Sequence, residues 1–496
     1  MSIANATHRL WSRRVARQAA RAERQAERRR AAERERSQLP ALSVLRLRRP
    51  GERPGHQAST AHVQAAYPAV TEAGLGSRGV FVGRDAYGGS FVFDPWVLYG
   101  DGMLTNANTI VFGHVGFGKS ALTKCMLLRQ RVFGRQVEII DPKGEYVPLV
   151  RAMGGVVLRL EPGGRVRLNP LTRIGTREMR EGLLEAVTRA MLARSLTQAE
   201  ALGLTAALQA ADDAQGDAET CVPHVIDQLR APSHVVADIL GMTQDEARVQ
   251  LRECALALRR LCEGPLRGMF DGPTTAGEQA WDAPAVALDL SALGAGRAGS
   301  DLALGIVMAC GGAFLDAKRT ERARAAEARG HGAPKVIRVN DEAWRALPIV
   351  GLGEYYQAAF KLSRETGVQH WLVLHRPSDL RAAGDEGSRQ QRLAEGLISD
   401  AATIVLYHMK AADVPLATEL FGLSSTEADL LGHLSKGEAL WLVGGRSFRV
   451  QHITSEIEWR LVQTDRAMLD AGTTALDRQV AAQLDDDADE LREAIA

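Results

Sequence analysis

The eight residues Gly113-His114-Val115-Gly116-Phe117-Gly118-Lys119-Ser120 keep the spacing G-x-x-x-x-G-K-(S/T). Glycines at those places let the backbone curl so that its N–H groups point inward, where they can cradle phosphate oxygens. Lys119 is placed to reach the β and γ phosphates, and the Ser120 hydroxyl to hold Mg²⁺. Ala121 opens a helix expected over Ala121–Arg131, whose positive N-terminal end adds to the anion site. The expected nucleotide cradle is therefore Gly113, His114, Val115, Gly116, Phe117, Gly118, Lys119, Ser120 and Ala121. Such a loop needs an acid on a neighbouring strand. The run Lys335-Val336-Ile337-Arg338-Val339-Asn340-Asp341-Glu342 supplies it. Asp341 is expected beside the Mg²⁺ shell, and Glu342 is the candidate base for an attacking water. The chemistry these residues imply is hydrolysis of ATP, with ATP and Mg²⁺ as cofactors.

Elements that can position such residues are legible around them. Strands are expected at Thr109–Phe112, Val137–Ile140, Val156–Leu160, Ala285–Leu290, Lys335–Val339, His370–Leu374 and Thr403–His408. Helical segments separate them, which implies a parallel sheet covered on both faces. Gly79–Trp96 alternates and turns at Gly88-Gly89, as a β-hairpin does. A second hairpin, Ala439–Val443 and Ser447–His452, turns at Gly444-Gly445. A polar helix follows it. Residues 176–264 carry an almost unbroken helical pattern and are read as an α-helical subdomain inserted into the core.

The 496 residues include 61 Lys and Arg against 60 Asp and Glu, but the balance is uneven. The first 50 residues hold 14 Arg and 4 Glu, and residues 485–493 gather six acids around one Arg. Residues 9–38 lack Gly and Pro and read as one basic helix. It suits phosphates of DNA or anionic lipid, or a protein partner, or plain solvation. Pro50, Pro54 and Pro68 mark a linker. The expected organisation is a basic helical extension (1–49), a linker (50–76), a first motor segment (77–175), the helical insertion (176–264), a second motor segment (265–460) and an acidic tail (461–496). Five cysteines without a C-x-x-C pair argue against a zinc site and for a reduced, cytoplasmic chain. The longest apolar run, Leu302 to Leu315, is shorter than the 18 or so residues of a membrane span and reads as a buried helix. Membrane contact, if any, is expected to be peripheral.

Three further segments carry a family resemblance. Ile139-Ile140-Asp141-Pro142-Lys143-Gly144-Glu145-Tyr146 follows the second core strand, Asp341-Glu342-Ala343-Trp344 extends the acidic motif, and His375-Arg376-Pro377-Ser378-Asp379-Leu380 follows the sixth. With Gly268-Met269-Phe270-Asp271-Gly272-Pro273-Thr274 and Leu440-Trp441-Leu442-Val443-Gly444-Gly445-Arg446, they resemble the large motor ATPase of type IV secretion and conjugation systems. That family, of the fourth VirB protein type, belongs to the FtsK–HerA group. The resemblance runs from about residue 79 to about residue 455. It implies a RecA-like P-loop NTPase core of the α/β class, a homo-hexamer with ATP at each subunit interface, and components of a secretion or conjugation channel as partners. DNA is a possible partner too. It also implies an arginine given in trans, for which Arg364 is the candidate, and a polar γ-phosphate sensor. The sensor position, commonly Gln, is His375 here, and the family's large N-terminal domain does not precede the motor. Two other readings share the motifs: a soluble hexameric DNA translocase or helicase, and a nucleotide-gated assembly scaffold with negligible turnover.

Overall fold

Strand-forming β-branched residues and helix-forming Ala, Leu and Arg alternate along the chain, and they build one large sheet with helices on both faces. The computed structural model describes residues 74–463 apart from 278–279, 294–299 and 382–388. The expected basic helix over 9–38, nearly all of the expected linker, and the acidic tail from residue 464 lie outside the described residues.

The sheet has eleven strands: β1 (Val80–Asp85), β2 (Ser90–Phe93), β3 (Thr109–Phe112), β4 (Gln136–Asp141), β5 (Val156–Arg159), β6 (Ala285–Asp289), β7 (Val336–Asn340), β8 (Val368–Val373), β9 (Thr403–Leu406), β10 (Glu438–Val443) and β11 (Arg446–His452). Their order across the sheet is β2-β1-β11-β10-β9-β3-β8-β7-β4-β6-β5. From β9 to β5 all pairings are parallel. The two hairpins join one another at the β9 edge and run antiparallel. The seven expected core strands are all present, with ends displaced by a residue or two. The acidic strand starts at Val336 rather than Lys335, and the sensor strand begins at Val368 and ends at Val373, which leaves His375 in the loop beyond it.

Both faces of the parallel block are buried, which is why its strands are mostly apolar, with Glu138, Arg338, Gln369 and His370 among the buried polar exceptions. Ile110 and Phe112 enter one core cluster and Val111, between them, enters the other. The first cluster includes the helix Ser300–Ala328, which contains the expected buried segment, and the helices of the insertion. The second includes helix α1 (Lys119–Gln130), which follows the glycine loop, and both hairpins.

Residues 177–262 hold six helices, the first Arg177–Leu192 and the last Arg252–Cys262. Thr176, Thr197, Ser233 and Thr243 cap four of them, satisfying backbone N–H groups that a helix start leaves unpaired. The chain's last described helix, α2 (Glu456–Val462), is closed by a capping box of Ser455 and Glu458. Leu461 and Val462 are buried in the second cluster or beside it, so the packed fold runs past residue 460, where the sequence reading placed the start of the tail. No helix among the described residues is long and apolar enough to cross a membrane.

Candidate functional site

Open parallel sheets leave a crevice outside the carboxyl ends of their strands, and the glycine loop lies there, at the end of β3. Its conformation is imposed from three sides. Gly113 N–H donates to the His375 carbonyl (3.0 Å), His114 N–H to that of His408 (3.0 Å), and Gly437 N–H donates to the Phe117 carbonyl (2.9 Å). Gly113 sits at φ +144°, and a Cβ there would lie 2.4 Å from the Cβ of Tyr407. Phe117 stacks on His408 with ring centroids 4.3 Å apart and planes 10° from parallel. Lys119 is buried and donates to the carbonyls of Gly113 (2.5 Å) and His114 (3.2 Å).

A hydrogen-bond relay braces the loop from behind. The Trp441 indole N–H can only donate, so Nε2 of His452 (2.9 Å) accepts. The neutral ring must then carry its proton on Nδ1, which donates to the Tyr407 oxygen (2.8 Å), and the Tyr407 hydroxyl donates to the Gly118 carbonyl (3.2 Å). Burial supports that neutral form by pushing the His452 ring down to about 3.

Strand β7 lies two strands from β3, with β8 between them, so the acid pair and His375 reach the same crevice. Asp341 is 3% exposed and its Oδ2 has no hydrogen-bond partner among the described residues. Burial, and then the charge of Glu342, push this carboxyl up to about 7. A buried carboxylate oxygen left unpaired, on a residue lining the same cleft as the serine of a phosphate loop, fits a hard divalent cation, which takes oxygen ligands. Ser120 and Asp341 are the residues that would hold Mg²⁺, whose chemistry when bound is to neutralise charge on the transferring phosphate.

Glu342 is held in a different way. Its backbone is left-handed, φ +56°, one of two non-glycine residues so placed among the described residues. Such a conformation costs of order 1–3 kcal/mol and persists where surrounding contacts enforce it. Here Lys143, His375 (Nε2 to Oε1, 3.0 Å) and the Trp344 indole all bond the carboxylate. Burial alone would raise the acid, but His375 and Lys143 outweigh it and hold the carboxyl down to about 2. It is thus ionised throughout the neutral range, as a proton acceptor must be.

Lys143 owes its place to Asp141. That carboxylate accepts N–H bonds from Lys143, Gly144 and Glu145 on one oxygen and from Tyr146 on the other (2.9–3.2 Å). The loop after β4 therefore folds around Asp141 and turns Lys143 toward Glu342. Lys124, on α1, is fully buried with its ammonium 3.9 Å from Glu145 and 5.0 Å from the centre of the Tyr146 ring. Burial lowers its affinity for a proton against the pull of Glu145, Asp141 and Asp341.

The structure thus brings together Lys119, Ser120, Asp341, Glu342 and His375 along a cleft of about 460 Å³. It does not bring Arg364 there. That residue is exposed on the short helix Ser363–Thr366, which precedes β8 and so lies at the opposite end of the parallel strands. Sequence reasoning gave no role to Lys143, Trp344 or Lys124. It also missed the cleft's other wall, which comes from Lys436-Gly437, the end of β11 and α2. The traces were Lys143 and Trp344, each within a quoted motif; the wall is apart from the loop by more than 300 residues and has no local signature.

No family model matches the chain, and no curated protein matches it. Among solved structures, its fold is similar to that of VirB4 of Thermoanaerobacter pseudethanolicus, with a TM-score of 0.61 and 23% identity over 78% of this chain and 100% of that one. It is also similar to the plasmid coupling protein TrwB in complex with the non-hydrolysable ATP analogue ADPNP, with a TM-score of 0.51 and 13% identity over 82% of this chain and 96% of that one. These likenesses are of fold alone, a RecA-like α/β fold with a mostly parallel sheet.

Proposed function

We propose that this chain is an Mg²⁺-dependent ATPase that works as the motor of a conjugative DNA-transfer or type IV secretion machine. The observation that carries the catalytic part is the placing of Glu342: ionised, buried and bonded by Lys143 and His375, one residue past Asp341, which lines the same cleft as Ser120. Lys119 holds the phosphates, Ser120 and Asp341 the Mg²⁺, Glu342 takes the proton of the attacking water, and His375 stands where the γ-phosphate can be sensed. The likeness of fold to VirB4 and TrwB supports the cellular task. Arg364 completes the site of a neighbouring copy in a homo-hexamer, channel components are the partners, and any membrane contact is peripheral.

Purified protein should hydrolyse ATP only with Mg²⁺. Lys119→Ala should lose nucleotide binding, whereas Glu342→Gln should bind ATP with near wild-type affinity and turn over at least about a hundredfold more slowly, the usual worth of a general base. Equal turnover by wild type and Glu342→Gln would remove the assignment of the base.

A further inference from the structure

The short helix Ser363–Thr366 has four residues, too few for its own backbone bonds to hold it. It is held from outside at both ends. At its start, Asn108 reaches Ser363. The Asn108 side chain is fully buried, and its Nδ2 donates to the carbonyl of Phe360 and to Oγ of Ser363 (both 3.1 Å), with the Asp400 carbonyl farther off at 3.4 Å. Its Oδ1 accepts the N–H of His370 in β8 (3.2 Å). At the other end of the helix, Arg319 donates from Nη1 to the Thr366 carbonyl (2.8 Å). Arg319 is itself buried, on the helix Ser300–Ala328.

Arg364 stands between these two grips. Ser363 is buried and Arg364 is exposed, and among the described residues its guanidinium makes no hydrogen bond or ion pair. Burial at positions 108 and 319 would suit apolar residues better, because a buried amide or guanidinium is costly unless its groups are met. What the polar groups add is a fixed backbone under one exposed arginine. A long side chain that must meet a phosphate on another chain loses its effect when its base wanders: a misplacement of about 1 Å can cost on the order of a hundredfold in rate. Asn108 is also the residue before β3, so the strand that ends in the phosphate loop begins at this anchor.

We propose that Asn108 and Arg319 are positioning residues, which set the helix Ser363–Thr366 so that Arg364 enters the nucleotide site of a neighbouring copy. The proposal rests on the trans role of Arg364 proposed above and names the residues on which its placement depends.

Full-length variants, alone and in mixed assemblies, test it through ATP turnover. Asn108→Ala alone should turn over roughly a hundredfold more slowly than wild type, yet bind ATP as wild type does, because its own phosphate loop is intact. Mixed with Lys119→Ala, which keeps a well-placed Arg364, it should regain activity. Mixed with Arg364→Ala it should stay slow, because neither copy offers a placed arginine. Arg319→Met should repeat this pattern, and Arg319→Lys, which keeps a donor for the Thr366 carbonyl, should recover part of the rate. A merely structural fault in β3 would act in cis and give the reverse: Asn108→Ala would regain activity with Arg364→Ala and not with Lys119→Ala. That result overturns the proposal, as does wild-type turnover by Asn108→Ala and Arg319→Met. If Asn108→Ala does not fold, Arg319→Met and Ser363→Ala carry the same test. If Arg364→Ala itself turns over as wild type does, the arginine reading falls and takes this one with it. If Arg364→Ala regains activity with Lys119→Ala while the Asn108 and Arg319 variants do not, the positioning role alone falls.

Discussion

The chemistry depends on side chains whose protonation is set by what encloses them. Glu342 stays ionised because Lys143 and His375 outweigh its burial. With Lys143→Met it keeps His375 and Trp344 but loses the cation that fixes its rotamer, so turnover should fall about tenfold, a fraction of what the base itself is worth. ATP affinity should change less, and Lys143→Arg should recover part of the rate. The buried histidines control a different property. His370 and His452 are both pushed down to about 3, chiefly by burial. An unfolded histidine titrates near 6.5, so below that pH the unfolded chain binds protons that the fold does not, and stability falls as pH drops. Asp341 acts with the opposite sign: held up near 7, it binds a proton in the fold that the unfolded chain has released above about 3.8. Two histidines against one carboxyl leave about one net proton, or about 1.4 kcal/mol per pH unit from 6.5 down to 4.5. His370→Phe, in a pocket where the ring already stacks on Phe360, should remove most of that slope. Urea melts at three pH values in that window measure it, and an unchanged slope would mean that His370 is protonated in the fold.

Among the elements, the glycine loop meets backbone requirements at Gly113, Gly116 and Gly118, all at positive φ. Gly113→Ala should show this. It adds a positive-φ strain and a contact with Tyr407, so both nucleotide binding and folding stability should drop, the latter by at least about 1–3 kcal/mol. Arg129→Met should act through α2 instead, releasing it from α1 with a loss on the order of 2 kcal/mol, since bonds to charged groups are worth about that much when partly buried. Thermal unfolding reports both. The parallel strands were legible for a plain reason: with both faces buried, Thr109–Phe112 and Val336–Asn340 read as mostly apolar runs followed by glycine or acid. The hairpins were legible from their glycine turns. What could not be read was how the loop after β4 bends around Asp141 to aim Lys143, or that α2 returns to roof the cleft. Those contacts join residues far apart in the chain, and they depend on tertiary packing rather than on any local period.

At the level of the whole molecule, the cleft of a single chain is lined by Lys119, Asp341, Glu342 and His375 and, among the described residues, by no arginine, while Arg364 is exposed at the far end of the sheet. If copies assemble head to tail, Arg364→Ala should lower turnover and leave ATP affinity nearly intact. Mixed with Lys119→Ala protein it should regain activity at interfaces that pair an intact loop with an intact arginine. Mixed rings, verified by mass, that never regain activity would exclude the trans role. The pairing of β1 with β11 carries a further consequence. Gly83 lies opposite His452, so a strand made early waits for one made almost at the end. Tyr407, His452 and Gly437, all of which brace the phosphate loop, also come late. During synthesis the loop therefore leaves the ribosome long before the contacts that shape it exist, and a nascent chain that stops short of residue 452 should be unable to capture nucleotide. The shaping of the phosphate loop is in this way deferred until residue 452 has been made.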